Sequence, residues 1–539
     1  MNSSMLMKNV FLIIGFFVIL SACKQKEQPE KVDVLIVGGS IFLDDSPKLM
    51  QLELGITQNK IVYLGKEYLG EATRVIDATG LVVSPGFIDM HTHLDPLMEI
   101  TDAKSHLMQG STTALGGPDG GGPWPFEPYL DSLDRMALGI NVAYLVGHNR
   151  VRNAIMEMDN RAPSSVELEQ MKAYIQSAMD AGAFGISTGL KYLPGAFSNV
   201  DEVIELSKIA SDNGGIYTSH LREEGLGLID GVQEAIVIGR EADIPIVLTH
   251  HKAIGMPVWG KSVQTLAMVD SARALGIDVM MDQYPYTASY TSISVLIPAW
   301  ARAGGQEAFI ARAEQPAVHD SIIAGIEFNI LNDRGGGDLR RVQLAKTPWD
   351  ESLSGQTLHD WALRENMEPN EKSGALLVME AQLNGGGTAI YHAMSEQDVE
   401  RIMQHPMTMI GSDGRLTDLN VGWPHPRWYG TFPRVLGEYV REKGVLDLNT
   451  ALRKMTSMPA DRLGLIDRGR LKEGNIADIT IFDPNTIADN SKFTDPHHYP
   501  DGVRFVLVNG VVAIDNGELT DNKAGQLLRK TDYNASSKK

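Results

Sequence analysis

Residues 86–93 read Gly86-Phe87-Ile88-Asp89-Met90-His91-Thr92-His93, an apolar run that ends in two histidines one residue apart. Residues 81–85 ahead of it extend the apolar pattern, and the whole segment is typical of a buried β-strand. Side chains two positions apart on a strand share a face, so both imidazoles can reach one ion. We therefore expect a metal site where this strand ends.

Three further strand-like runs end in a potential metal ligand. Residues 215–219 lead into His220, residues 244–249 into His250, and residues 409–412 into Asp413. The carboxyl ends of the strands of a parallel barrel meet at one face of the molecule. A lone histidine at a strand end is commonly structural, so the prediction depends on finding five such residues at four strand ends. Imidazole and carboxylate groups suit zinc and similar divalent ions.

The long middle of the chain alternates between strand-like and helical stretches, which predicts an α/β fold. Strand-like runs lie at 142–146, 183–186, 244–248 and 408–410, and helical stretches at 166–181 and 203–213. Repeated units of this kind indicate a parallel sheet, and their number fits a closed (β/α)8 TIM barrel over residues 86–465. Residues 296–390, rich in glycine and charge, are interpreted as an insertion with its own helices beside the active site.

Both ends of this barrel segment are rich in short strands. Residues 32–85 and 466–525 each contain too few strands for a stable sheet of their own. We expect the two segments to combine into one small β-sandwich that is built from both termini.

The first 23 residues are interpreted as a processing segment. Lys8 precedes an apolar run at 10–20, which is too short to cross a bilayer of about 30 Å. The tetrad Leu20-Ser21-Ala22-Cys23 resembles a bacterial lipobox, so we expect a signal peptide over 1–23, a lipidated Cys23 and a linker over 24–31. A plain secretory signal is the alternative. The prediction is an exported lipoprotein of the cell envelope, on the periplasmic side or at the outer membrane, held to the membrane only by its lipid anchor.

The composition of the chain argues against several kinds of partner and active site. The 539 residues carry a formal net charge of −20, which argues against a nucleic-acid partner. Cys23 is the only cysteine, so the mature chain has no disulfide, no cysteine nucleophile and no cysteine metal ligand.

At these residues the chain resembles the amidohydrolase superfamily and, within it, the N-acyl-D-amino-acid deacylases, or D-aminoacylases. The motif at 86–93 marks the superfamily. The more specific likeness lies in Pro424-His425-Pro426-Arg427, in the run through Arg434, and in residues 454–457 and 467–474. Residues 187–195, 250–252 and 411–414 complete the resemblance, which covers nearly all of the mature chain.

The resemblance implies a centre of one or two divalent metal ions, zinc in the first place. His91, His93 and Asp413 would hold one ion, and His220 and His250 the other. The family characteristically joins the two positions with a cysteine after the second strand, where this chain has Asp119. Other branches use a carbamylated lysine after the fourth strand, where Lys191 stands. An oxygen bridge from either residue is possible, and Lys191 is slightly favoured.

The family mechanism assigns roles to further residues. Asp413 would take a proton from metal-activated water and later pass it to the leaving amine, and Tyr192 would stabilise the oxyanion. Four residues match positions that grip the substrate's α-carboxylate: Lys252, Tyr284, Ser289 and Arg427. The side-chain pocket is expected around residues 285–300 and the insertion. If Arg302 points into it, an acidic side chain would be favoured.

The expected reaction is hydrolysis of an N-acyl-D-amino acid or a D-peptide. A D-dipeptidase and a cyclic-amide hydrolase of the dihydroorotase or hydantoinase kind are alternatives within the superfamily. A surface lipoprotein that only captures ligands is the alternative of another class, but it predicts the loss of a metal ligand, and all five are present.

Overall fold

The computed structural model describes residues 29–536, so the expected signal peptide and Cys23 lie outside the described residues. Eight parallel strands form the centre of the molecule. In chain order they are Phe87–Asp89, Ser111–Gly116, Asn141–Tyr144 with its continuation Val146–Gly147, Gly185–Gly189, Ile216–His220, Ile246–Leu248, Val279–Gln283 and Thr408–Ile410. Each pairs in parallel register with the next along the chain.

The barrel closes between its eighth and first strands. Gly414–Arg415 pairs in parallel with Thr92–His93, and the amide of Asp413 donates to the carbonyl of His91 at 2.8 Å. The strands are buried on both faces, as in other parallel sheets covered by helices. The structure therefore has the (β/α)8 barrel that the alternating pattern predicts.

Helices follow the strands and surround the barrel. They are Lys104–Leu107, Phe126–Leu133, His148–Met156, Ser165–Asp180, Val200–Asp212, Leu228–Ala242, Ser262–Ala274 and Glu396–Gln404. After the eighth strand come Arg427–Arg434, the π-helix Val435–Glu442, Leu448–Met455 and Ser457–Leu463. One large apolar core joins these helices to the barrel. Within residues 29–536, no helix combines the length and apolarity needed to span a membrane.

Two sheets from the ends of the chain pack together as a sandwich. One sheet contains Lys60–Gly65, Glu53–Thr57, Lys31–Val37 and Glu71–Asp77, in that order. The other contains Glu518–Leu519, Val511–Asp515, Val503–Val508, Ile479–Phe482, Val82–Pro85, Ser40–Ile41 and Met50–Gln51. Their facing side chains share one core, so neither terminus could form this domain alone.

The insertion lies between the seventh and eighth barrel strands and has its own apolar core. It contains a three-stranded antiparallel sheet of Ser289–Ser292, Thr388–Tyr391 and Val342–Lys346, which the sequence pattern did not predict. Its helices are Ala299–Arg302, Gly305–Ala313, Pro316–Asn329, the π-helix Ile330–Arg334, Leu358–Arg364 and Glu371–Leu383. Since its first strand begins at Ser289, the insertion starts before the predicted residue 296.

Candidate active site

Six side chains that could bind metal meet at the carboxyl-terminal rim of the barrel. They are His91 and His93 after the first strand, Asp119 after the second, His220 at the end of the fifth, His250 after the sixth and Asp413 after the eighth. The short strands of a closed barrel converge there, and each strand delivers its terminal residues to the same space.

The carboxylate of Asp119 lies at the centre of this group. Its Oδ1 is 3.6 Å from Nε2 of His91 and 3.4 Å from Nε2 of His250. Its Oδ2 is 3.7 Å from both Nε2 of His93 and Nδ1 of His220. Burial raises the pKa of Asp119, but the neighbouring His91 and His250 outweigh burial and hold that pKa well below its usual range. The carboxylate is therefore anionic among four imidazoles.

Asp413 completes one side of the group. Its Oδ1 lies 3.2 Å from Nε2 of His93 and 3.7 Å from Nε2 of His91, while its Oδ2 faces Nη1 of Arg427 at 3.0 Å. Burial raises the pKa of Asp413, but the Arg427 guanidinium and the histidines lower it by more. The two oxygens thus face different partners.

The cluster has the donor set and the geometry of a metal centre. Its ligand atoms fall into two groups, each within 4.8 Å, that share Asp119: one with His91, His93 and Asp413, the other with His220 and His250. Nε2 of His91 and Oδ1 of Asp119 are buried and make no hydrogen bond to any described residue. Buried polar atoms without partners are costly in a protein interior, and a divalent cation would satisfy them. The residues present therefore fit one or two such ions.

Lys191, the slightly favoured bridge, lies elsewhere. Its Nζ donates to both carboxylate oxygens of Glu223 at 2.8 and 3.0 Å and lies 3.6 Å from Oδ2 of Asp333. These carboxylates hold the ammonium group on the wall of a second cavity. The expectation that Lys191 stands among the metal ligands is wrong, because the loop after the fourth strand turns this side chain away. Asp119, the other candidate, is the one within the cluster.

A cavity of about 620 Å³ opens over the cluster. Lys252, Ser289, Arg427 and Tyr192 line it, as do Asp119 and Asp413. The hydroxyls of Tyr284 and Ser289 and Nε of Arg427 are buried and donate to no described residue. The sequence-predicted carboxylate-binding residues thus include three with unused donors beside the metal cluster.

Lys252 differs from these three residues. Its Nζ donates to Oε1 of Glu224 at 2.5 Å and to the carbonyl of His250 at 2.8 Å, and it lies 2.7 Å from Nδ1 of His250. Lys252 is therefore held against His250 and Glu224 where it lines the cavity.

Similar proteins were found in sequence and in structure. The amidohydrolase family model matches residues 74–247 and 267–514. The chain belongs to the amidohydrolase family. A D-aminoacylase of Alcaligenes xylosoxydans xylosoxydans is 36% identical over 523 residues, which cover 93% of this chain and 98% of that protein. An N-acyl-D-glutamate deacylase of the same organism is 35% identical over 524 residues, with 93% and 97% covered.

The fold is also that of a solved relative. The crystal structure of N-acyl-D-glutamate deacylase from Bordetella bronchiseptica, with zinc and a phosphonate inhibitor, matches at a TM-score of 0.79 and 34% identity. The match covers 93% of this amidohydrolase and all of that chain. The family and the fold class predicted from the sequence are confirmed.

Buried carboxylates support the histidines of this amidohydrolase from behind. Oε1 of Glu224 lies 3.1 Å from Nδ1 of His250, and its Oε2 lies 3.5 Å from Nε2 of His220. Oδ1 of Asp282 accepts from the amide of His250 at 2.7 Å and lies 3.8 Å from Nδ1 of His91. Such partners orient metal-binding imidazoles. Sequence reasoning missed both, although Asp282 lies at the end of the seventh strand.

Asp89 links the first and eighth strands where the barrel closes. Its carboxylate accepts from the amide and the hydroxyl of Ser412 at 2.8 and 2.5 Å and from the amide of His91 at 3.1 Å. Since Ser412 directly precedes Asp413, this one carboxylate fixes the positions of ligands from both strands. The sequence offered a signal for this role, because Asp89 lies within the motif at residues 86–93.

Three residues of the cluster have a left-handed backbone. The φ angles of Asp119, His250 and Asp413 are 56°, 36° and 47°. This region is uncommon for residues other than glycine and costs on the order of 1 kcal/mol or more at each position. The surrounding barrel maintains a conformation that aims the side chains inward, as is typical of functional sites.

Tyr192 stands at the edge of the cluster. Its ring centroid lies 4.5 Å from that of His220, and its hydroxyl oxygen accepts a hydrogen bond from Thr291 at 3.2 Å. Burial raises the pKa of Tyr192, and the nearby Asp119 adds to the effect. The phenol therefore stays protonated, and its hydrogen is available to the cavity.

Proposed function

We propose that this protein is a metal-dependent deacylase that hydrolyses the amide bond of N-acyl-D-amino acids, releasing a carboxylate and a free D-amino acid. The observation that carries the proposal is the presence of unused donors on Ser289 and Arg427, which line the cavity over a cluster with the ligands of a metal centre, and on Tyr284, whose ring packs against Arg427. The names of the relatives, a D-aminoacylase and an N-acyl-D-glutamate deacylase, support the same reaction.

Zinc is the proposed metal, and the two groups of side chains that share Asp119 would hold one or two ions. The solved N-acyl-D-glutamate deacylase is a zinc complex, and histidine nitrogens with carboxylate oxygens are a typical zinc donor set. When bound, a divalent cation supplies Lewis acidity that polarises a carbonyl oxygen and lowers the pKa of water. A chain without a cysteine ligand uses the Asp119 carboxylate where the related deacylases use a thiolate.

Asp413 is proposed to carry the proton. Its anionic state leaves Oδ1, on the cluster side, able to accept a proton from water, while Oδ2 stays paired with Arg427. Oδ1 then returns the proton to the leaving nitrogen, because an amine departs only when protonated. General acid–base catalysis of this kind contributes about 10²- to 10⁴-fold to the rate.

Tyr192 is proposed as the donor that stabilises the negative oxygen in the transition state. Its hydroxyl oxygen accepts from Thr291, which leaves its own hydrogen directed to another acceptor. A positioned donor in a site that excludes water is worth about 10²-fold or more in rate.

The two halves of the substrate meet different walls of the cavity. We assign the α-carboxylate to Arg427, Tyr284 and Ser289, since a guanidinium with two hydroxyl donors fixes the orientation of a carboxylate. The lining of the cavity also includes the apolar and aromatic residues Leu94, Pro123, Trp124, Tyr129 and Tyr144. The acyl group is assigned to these residues. Two fixed points and the reacting carbonyl give three points of contact, which is enough to select one enantiomer.

Export is a second part of the proposal. The Leu20-Ser21-Ala22-Cys23 tetrad supports lipidation of Cys23 and a place on the cell envelope. Labelling of the wild-type protein by a palmitate analogue, absent in a Cys23→Ser variant, would be the supporting result. Equal labelling of both proteins, or of neither, contradicts lipidation at Cys23.

A substrate panel tests the activity. Purified zinc-loaded protein is given N-acetyl and N-succinyl derivatives of D- and L-amino acids, D-D dipeptides, dihydroorotate and a hydantoin, and release of free amine or ring opening is measured. We expect turnover of N-acyl-D-amino acids with a D over L preference of about 100-fold or more. Turnover confined to L-substrates, dipeptides or cyclic amides contradicts the proposal.

A further inference from the structure

Arg334 is a buried cation that the proposed mechanism does not use. Its side chain is 2% exposed, yet it lines the catalytic cavity. Its Nε is buried without a hydrogen bond, and no hydrogen bond joins its guanidinium to any described residue. A guanidinium has five N–H donors in a planar fork, and leaving them unpaired away from water is costly. The arrangement indicates a site built for an acceptor that enters the cavity.

Asp333 does not supply a hydrogen-bond acceptor for the Arg334 guanidinium. Its Oδ2 lies 3.6 Å from Nε of Arg334, beyond hydrogen-bonding distance, and also 3.6 Å from Nζ of Lys191. One carboxylate oxygen is therefore shared between two cations. Cζ of Arg334 also lies 5.5 Å from the centroid of the Tyr391 ring.

Arg334 lines the same cavity as Arg427 and Ser289, two of the residues assigned to the α-carboxylate. Burial raises the pKa of Tyr284, and the charges of both Arg427 and Arg334 oppose that rise. Both guanidinium groups thus act on one phenol, and Arg427 lies closest to it, with Cζ 4.5 Å from the ring centroid. Arg334 also ends the π-helix Ile330–Arg334, an irregular element that is frequent at functional sites.

We propose that Arg334 binds a second carboxylate of the substrate, the one on the side chain of an acidic D-amino acid. The inference rests on the proposed deacylase function, in which Arg427, Tyr284 and Ser289 take the α-carboxylate. A bidentate pair between Arg334 and the side-chain carboxylate satisfies the unused donors. A neutral or apolar side chain leaves Nε of Arg334 buried and unpaired, so the site discriminates against it.

Arg302, the arginine that the sequence offered for this role, lies elsewhere. It lines the second cavity, of about 400 Å³, together with Lys191 and Arg222. Its Nη1 donates to the hydroxyl of Ser294 at 3.2 Å. Arg302 is therefore a matched control: an arginine of the same insertion that does not line the catalytic cavity.

The test compares kcat/KM for four substrates in four zinc-loaded proteins. The substrates are N-acetyl-D-glutamate, N-acetyl-D-glutamine, N-acetyl-D-leucine and N-succinyl-D-leucine, and the proteins are wild type, Arg334→Gln, Arg334→Lys and Arg302→Gln. We expect wild type to prefer N-acetyl-D-glutamate over the glutamine analogue by about 100-fold. Arg334→Gln should remove that preference by lowering the glutamate value about 100-fold, while the two neutral substrates change by less than about 5-fold.

The two remaining variants refine the expectation. Arg334→Lys keeps the charge without the planar fork, so it should retain part of the preference. Arg302→Gln should behave like wild type. Since turnover of N-acetyl-D-leucine reports an intact metal site in every protein, loss of folding is distinguished from loss of recognition.

Three results overturn the inference and leave the deacylase assignment standing. They are a wild type that prefers neutral D-substrates, an Arg334→Gln variant that loses activity equally on all D-substrates, and a loss that appears on N-succinyl-D-leucine instead of N-acetyl-D-glutamate. The last result would place the second carboxylate on the acyl group. Absence of turnover for every N-acyl-D-amino acid in wild type instead overturns the proposed function itself.

Discussion

Oδ1 of Asp119 lies 3.4 Å from Nε2 of His250, and the same carboxylate approaches three further histidines at 3.6 to 3.7 Å. Among residues 29–536, the two groups of side chains that could hold a metal ion share Asp119. Because two hard oxygens can serve two cations, this carboxylate can take the bridging position that the family resemblance gives to a cysteine.

Replacing Asp119 tests this role directly. Asp119→Ala removes every shared ligand atom, so we expect weaker zinc retention and a fall in kcat of about 100-fold or more. Asp119→Cys restores a thiolate at the family's position and should keep turnover within about 10-fold of wild type. Zinc content by mass spectrometry and turnover of an N-acetyl-D-amino acid are the measurements. An alanine variant with full activity would show that Asp119 is not a ligand.

Lys191→Met should leave hydrolysis nearly unchanged. The Lys191 ammonium pairs with Glu223 and Asp333 outside the metal cluster, so its loss removes an ion pair at the rim of the second cavity. We expect kcat/KM within about 3-fold of wild type and no dependence of activity on added bicarbonate, since a partly exposed ion pair is worth about 0 to 1 kcal/mol. Loss of activity together with rescue by bicarbonate or a short carboxylic acid would restore the carbamylated lysine as the bridge.

Glu224 and its neighbour Glu223 form a matched pair for testing the support of the histidines. Glu224 is buried against His250, His220 and Lys252, whereas Glu223 is partly exposed and pairs with Lys191. Glu224→Gln should lower zinc affinity about 10- to 100-fold, and Glu223→Gln should not. Titration with a competing chelator measures both. Equal affinities in the two variants would be evidence against a supporting role for Glu224.

Asp489 provides a pH-dependent test of how the Arg427 helix is held. Its Oδ2 accepts from the hydroxyl of Tyr286 at 2.8 Å, and its Oδ1 accepts from the amide of Ser491 at 2.9 Å. Gly430 of the helix Arg427–Arg434 packs against it so closely that a Cβ there would lie 2.0 Å from Oδ1. Burial raises the pKa of Asp489 to about 6.

The sign of the effect follows from proton linkage. Between about pH 4 and pH 6 the folded protein holds a proton on Asp489 that the unfolded chain has lost. The contribution of protonated Asp489 to the free energy of unfolding is therefore full below about pH 4 and is lost by pH 6. Asp489→Asn removes the dependence. The difference in melting temperature, variant minus wild type, should therefore increase from pH 4 to pH 8. The increase corresponds to a change on the order of 2 kcal/mol in the free energy of unfolding. A melting-temperature difference between the two proteins that does not change with pH contradicts the burial of the Asp489 carboxyl group.

Several features of the fold and the site could be predicted from the sequence, and for a physical reason. His91, His93, His220, His250 and Asp413 are local features of strand ends, and a parallel barrel brings all strand ends to one face. The strand Thr408–Ile410 is likewise predicted with its observed bounds, because a short apolar run is a local signal in the sequence.

Other features depend on tertiary contacts that no local pattern contains. The sequence offers both Lys191 and Asp119 as the bridge and slightly favours Lys191, whereas the path of the loop after the fourth strand turns Lys191 away from the cluster. Glu224 lies in a loop and Arg334 lies in the insertion. In neither place does the periodicity of the sequence indicate which way a side chain points. The insertion's sheet was missed because strands such as Val342–Lys346 find their partners far away in the chain.

Asp413→Asn is the most direct test of the central claim that this amidohydrolase uses a metal centre and an Asp413 carboxylate to hydrolyse N-acyl-D-amino acids. The substitution keeps the shape of the side chain and removes its ability to carry a proton. Asp95→Asn, at the partly exposed mouth of the same cavity, is the control. Zinc content and kcat on an N-acetyl-D-amino acid are measured at saturating zinc. We predict zinc in the variant and a fall in kcat of about 1,000-fold; a zinc-bound Asp413→Asn protein that hydrolyses at the wild-type rate would contradict the account.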